Sequence, residues 1–147
     1  MRNNLPLTVP LLSLVLIFGC HDSTKTRAKF ATYQQMKDAG YLANDWIPPC
    51  FPENATDILD QHDLETNAAW VTFRLEGQPL ADFQAALKKP PKDTFYRATG
   101  WGTPAWWPKE PAGPLFVLKC PWVKKNKERY ITYVVVDEAQ RQVYLWR

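Results

Sequence analysis

Tyr130-Ile-Thr-Tyr-Val-Val-Val136 and Gln142-Val-Tyr-Leu-Trp146, joined by Asp137-Glu-Ala-Gln-Arg141, decide the fold. Both runs are rich in β-branched and aromatic residues, and the polar connector is short enough to close a hairpin. Working upstream, Leu115 to Cys120 and Ala69 to Leu75 read as further strands; in the latter Trp70, Thr72 and Arg74 alternate with Val71, Phe73 and Leu75. Helical signals fall between and before the strands. Tyr33 to Ala39 ends at Gly40, a C-cap residue, and Asn54-Ala-Thr-Asp57 offers caps for a short helix carrying Ile58, Leu59 and His62. Leu80, Phe83, Ala86 and Leu87 recur at three- and four-residue spacing after Pro79, which predicts a third helix from Pro79 to Lys88. Helices before and between strands, then consecutive strands, predict an α+β fold: a small single domain with an antiparallel sheet, a C-terminal β-hairpin and two or three short helices.

At the other end, Leu16-Ile17-Phe18-Gly19-Cys20 places a cysteine directly after an apolar run with Arg2 upstream. The run contains Pro6 and Pro10 and is too short to cross a hydrocarbon core of about 30 Å, so it suits the h-region of a cleaved signal. Gly19-Cys20 is similar to the lipobox of bacterial lipoproteins, which implies acylation of Cys20 and a membrane anchor of two or three chains, at ~0.8 kcal/mol per buried methylene. An ordinary secretory signal that leaves Cys20 as a free or paired thiol is the alternative. The expected organisation is a signal peptide at 1–19, a lipidated tether at 20–30 and a globular domain at 31–147. Lipoproteins of enteric bacteria are retained in the inner membrane by Asp after the acylated cysteine; His21 occupies that place here, so the expected location is the periplasm-facing outer membrane.

With Cys20 acylated, Cys50 and Cys120 remain as the candidate disulfide in an oxidising compartment. A loop of this length would stabilise the fold by roughly 4 kcal/mol in the chain-entropy treatment. A redox or metal role is less well supported, since the chain has no Cys-x-x-Cys motif.

Charge is uneven. Residues 20–86 carry 5 Lys and Arg against 10 Asp and Glu, whereas residues 87–147 carry 12 against 5. The near balance over the whole gives no case for nucleic acid, which asks for a strongly basic face. Lys124, Lys125, Lys127 and Arg129 form a basic run that reads as a solvated turn guarding a strand edge, or as a contact for anionic headgroups.

Asp57, Asp60, His62, Asp63 and Glu65 combine carboxylates with an imidazole. Metal binding and acid-base catalysis are the sharp readings. On a helix these groups would not converge on one face, and one histidine in the folded part falls short of the common zinc sets. A hydrogen-bonding role at a helix end is the expectation, with Asp63 to Asn67 turning into the next strand. No metal or cofactor is implied.

Phe95-Tyr-Arg-Ala-Thr-Gly-Trp101-Gly-Thr-Pro-Ala-Trp-Trp107-Pro holds five aromatic rings among glycines and prolines. Such a loop either folds back as cover for the sheet or presents anchors to a ligand. As a binding loop it would use Trp101, Trp106 and Trp107, supported by Tyr96 and Arg97.

Trp46-Ile-Pro-Pro-Cys-Phe-Pro-Glu-Asn-Ala-Thr-Asp-Ile58, followed by His62-Asp-Leu-Glu-Thr-Asn67 and Trp70-x-x-Phe73, resembles a family of small exported bacterial proteins of uncharacterised activity. The resemblance implies a shared fold and transfers no site residue. Taken together, these readings lead to the expectation of a non-enzymatic, lipid-anchored envelope protein that binds a protein partner as an inhibitor, immunity factor or assembly accessory. The alternatives are a cell-wall glycan (peptidoglycan) binder using the tryptophan loop, and a hydrolase centred on His62.

Overall fold

The computed structural model describes residues 24–44, 46–92, 99–100, 102–118, 122–123 and 129–147. Nine strands are present among them: β1 Lys25–Thr32, β2 Thr56–Asp63, β3 Ala69–Arg74, β4 Leu87–Lys88, β5 Leu115–Leu118, β6 Trp122–Val123, β7 Arg129–Tyr130, β8 Tyr133–Asp137 and β9 Gln142–Trp146. Seven of them form an antiparallel sheet in the order β1-β2-β3-β9-β8-β5-β4, while β6 and β7 pair separately. Two helices, α1 Tyr33–Asp38 and α2 Gln78–Ala85, and a 3-10 turn at Tyr41–Asn44 complete the regular structure. This is the expected small α+β domain with a C-terminal hairpin.

The hairpin forms β8 and β9, with Asp137 opposite Gln142 and the Asp137 carboxylate accepting from Gln140 N at 3.0 Å. Its first strand begins at Tyr133 rather than Tyr130, because Tyr130 pairs with Trp122 in the small sheet. Thr32 caps α1 through Gln35 N, Gln35 returns its own side chain to Ala31 N at 2.9 Å, and Gly40 ends the turn at φ 70°. α2 stops at Ala85, short of the predicted Lys88. Leu87 is buried and pairs with Leu118, so the sheet edge takes the last residues of the predicted helix.

Two expectations are corrected. Residues 25–30, expected within the tether, lie in β1 and pair with β2 from Lys25–Asp63 to Thr32–Thr56. The helix expected around Asn54 to His62 is instead strand β2, flanked by β1 and β3. A ladder on both sides pairs its backbone more completely than a one-turn helix would, and this outweighs the capping preference of Asn54 and Asp57. Asp57 adopts φ 48° at a β-bulge where the β2–β3 register shifts between Thr56 and Leu59.

Strand alternation then sorts the sheet into two faces. One carries Ile58, Val71, Phe73, Val134, Val136, Val143 and Leu145, and it packs under Met36, Tyr41, Ile47, Phe51 and Phe83 as the main core. The other carries Trp70, Tyr133, Val135, Tyr144 and Trp146, which cluster with Trp106 and Trp107.

The chain returns to the sheet after this aromatic cover at Gly113, where φ is 131° and an added Cβ would lie 2.3 Å from the Val136 carbonyl oxygen. Gly113→Ala is therefore expected to destabilise the domain by more than about 1 kcal/mol, since both backbone conformation and space oppose it. A urea unfolding midpoint equal to that of the parent protein would contradict this.

Candidate functional site

β2 holds four consecutive buried polar residues: Asp60 at 1 % exposure, Gln61 at 1 %, His62 at 1 % and Asp63 at 3 %. Alternation sends Asp60 and His62 toward the helical layer, and Gln61 and Asp63 toward the aromatic layer. An unpaired buried polar group costs ~1–3 kcal/mol, so the contacts each of them makes bear on the stability of the domain.

On the helical side, the Tyr41 hydroxyl donates to Asp60 Oδ2 and lies 3.5 Å from His62 Nε2. His62 Nδ1 is 2.8 Å from the same carboxylate oxygen. This approach is close, but it is not aligned as a hydrogen bond, and Asp60 Oδ1 has no hydrogen-bond partner. The Trp46 ring closes the cluster, its centroid 4.0 Å from that of His62 at 62°. Burial pushes the Asp60 carboxyl above its ordinary range, and contacts from His62, Tyr41 and Arg147 only partly offset this. Burial, reinforced by Asp60, likewise raises the Tyr41 phenol. Acid, imidazole and phenol thus meet, but the Asp60 and His62 side chains are 0 % and 2 % exposed. The group is enclosed and acts as a clasp between β2 and the Tyr41–Trp46 segment.

On the aromatic side, Arg27 Nε donates to Gln61 Oε1 at 2.6 Å, and Gln61 Nε2 donates to the Gly102 carbonyl at 3.0 Å. This holds the loop that carries Trp106 and Trp107. Trp107 is 5 % exposed and meets Trp146 and Tyr144 edge-on, with centroids at 5.8 and 5.5 Å. Trp106 is half-buried and edge-on to Trp107.

The row Lys29–Leu59–Thr72–Tyr144 crosses β1, β2, β3 and β9 by direct register. Trp106 overhangs it, and together with Asp57 and Gln142 these residues line an open cleft of about 290 Å³. Gln142 Nε2 donates to Thr72 Oγ1 and to the Phe73 carbonyl, and Thr72 donates to the Val143 carbonyl at 2.9 Å. Burial, then Asp137, raises the Tyr144 phenol, so it stays protonated as a hydrogen-bond donor.

The sequence-derived candidates divide as follows. Trp106 lines the cleft, whereas Trp107 is buried as cover for the sheet. Trp101, Tyr96, Arg97, Cys20 and Cys120 lie outside the described residues, and Cys50 is exposed on a turn. His62 does not end a helix; it faces the core beside Asp60. Asp57 and Glu65 are exposed and apart from them, while Asp63 accepts from Glu65 N and Thr66 N in the turn toward β3. Among the described residues, no three His, Cys, Asp or Glu are placed to hold a metal. Sequence reasoning missed Lys29, Thr72, Gln142 and Tyr144, whose only signal was strand alternation.

Residues 24–74 match the YbbD head domain. The match runs from the start of β1 through β3, so it includes Tyr41, Trp46, Asp60 and His62 and excludes the aromatic loop, β8 and β9. It supports the likeness to a small bacterial family over that part of the chain, and residues 1–23 lie outside it. Neither a curated protein nor a solved structure matches.

Two outcomes are expected for the clasp. Tyr41→Phe removes the donor to Asp60 and should cost ~1–3 kcal/mol in urea unfolding at neutral pH. Because folded Asp60 holds its proton more tightly than the ordinary carboxyl at 3.8, its contribution is fully favourable below that value and is lost as pH rises through the higher folded value. Asp60→Asn should flatten that part of the stability-against-pH curve; identical slopes in the two proteins would refute the assignment.

Proposed function

We propose that this is a lipid-anchored protein of the bacterial cell envelope that works by binding a glycan and not by catalysis. The observation that carries the reading is the half-covered sheet face, where Trp106 stands over a row of polar and aromatic side chains in an open cleft. Clefts of this kind, with an aromatic wall and a few fixed polar groups, suit small polar ligands. A protein interface would ask for a contiguous apolar patch. Among the described residues, the large exposed hydrophobics are Leu64, before β3, and Ile131, before β8. The enclosure of His62 counts against a hydrolase centred on it.

Anchoring rests on Cys20, with the outer membrane as the favoured site. The same reading pairs Cys50 with Cys120, the cysteine left once Cys20 is acylated. Such a bridge would suit an exported module with a modest core.

Full-length protein should sediment with isolated sacculi, and Trp106→Ala should abolish sedimentation without lowering the melting temperature. If the variant sediments normally, or if crosslinking in cells captures one envelope protein and sacculi fail to bind, the glycan reading falls. Cys20→Ala should move the protein from the membrane to the soluble fraction; retention in the membrane would remove lipid anchoring.

A further inference from the structure

The sheet face around the cleft is basic, and the cleft itself is lined by one cation, Lys29, and one carboxylate, Asp57, which lies beside Arg74. Lys25, Arg27 and Lys29 occupy alternate positions of β1, and the register sets them opposite Asp63, Gln61 and Leu59 on the aromatic face. Arg74 joins them from β3, where it lies 3.8 Å from Asp57 across an exposed pair. Four cations thus face two carboxylates on this side of β1, β2 and β3. Lys29 is the cation that lines the cleft itself, and it is exposed.

The neutral part of the wall is already set. Gln142 uses Nε2 on Thr72 and the Phe73 carbonyl, which leaves Oε1 as an acceptor, and Tyr144 offers a protonated phenol. Fixed donors and acceptors of this sort lose little freedom on binding. An indole wall supplies apolar contact for one face of a ring. The cleft, at about 290 Å³, is at the small end of ligand sites.

We propose that this cleft is a subsite for a carboxylate-bearing saccharide, with one sugar ring against Trp106, its hydroxyls on Gln142 and Tyr144, and its carboxylate on Lys29. The inference rests on the glycan-binding reading above and narrows it to acidic sugars. A carboxylate on Lys29 makes a charge-assisted contact in an open site, so the preference must weaken with salt.

The test is calorimetric titration of the full-length protein in detergent with a digalacturonate and, separately, a neutral digalactoside of the same size. The acidic sugar is expected to bind at least tenfold more tightly at low salt. Lys29→Gln should remove that preference while keeping the neutral sugar's affinity, and Trp106→Ala should weaken both, with partial recovery in Trp106→Phe. Each variant is checked for an unchanged melting temperature. Equal affinity for the two sugars, or a preference that survives Lys29→Gln, overturns the acidic subsite. Sacculus binding that persists alongside such a result leaves the glycan reading standing, whereas loss of both removes the two together.

Discussion

Burying four polar side chains in a row on β2 is the constraint from which the rest of this domain follows. Asp60, Gln61, His62 and Asp63 sit in a strand paired on both edges, so the ladder satisfies their backbone and leaves their side chains to be answered from above and below. Tyr41 and Trp46 answer Asp60 and His62 on one side, Arg27 and Gly102 answer Gln61 on the other, and Asp63 is answered by Glu65 N and Thr66 N of the turn that follows. The first two sets of contacts also position a layer each. The first fixes the segment between the 3-10 turn and Phe51 over the main core, and the second fixes the aromatic loop over the opposite face.

The two layers differ in completeness. The helical side closes fully over Val71, Phe73 and Leu145, whose side chains have almost no contact with solvent. The aromatic side covers Trp70, Val135 and Trp146 but leaves the row from Lys29 to Tyr144 open beneath Trp106. Incomplete cover is what turns a structural face into a candidate binding surface. The YbbD head match takes in the clasp at Asp60 and His62 together with Lys29, Asp57, Leu59 and Thr72 of the cleft, and stops before Trp106, Gln142 and Tyr144, which complete it. The clasp therefore belongs to the part of the chain with a known likeness.

Much of the fold was legible because end signals and periodicity agreed. Gly40 marked the end of α1, Pro79 lay in the first turn of α2, and alternation from Trp70 to Leu75 marked β3. β2 was misread because Asn54 and Asp57 offer helix caps, and because polar residues are poor strand formers alone; only pairing with β1 and β3 makes the strand favourable. The same error hid the clasp, since Asp60 and His62 converge at a period of two and diverge at a period of 3.6. The aromatic loop has no period to read, so the opposite fates of Trp106 and Trp107 depend on which part of the sheet was left uncovered. The cleft was still less accessible to sequence, because positions 29, 59, 72 and 144 become neighbours only through the strand order.

The central claim, that β2 holds the two layers by separate side-chain clasps, is tested most directly by hydrogen exchange on Gln61→Leu. Loss of the bond to Gly102 should speed exchange of the Thr103 and Trp107 amides, which bond within the loop to Gly100 and Pro104, while the Ala39 amide at the end of α1 keeps its protection. Equal acceleration in both layers, or none in the loop, would contradict the account.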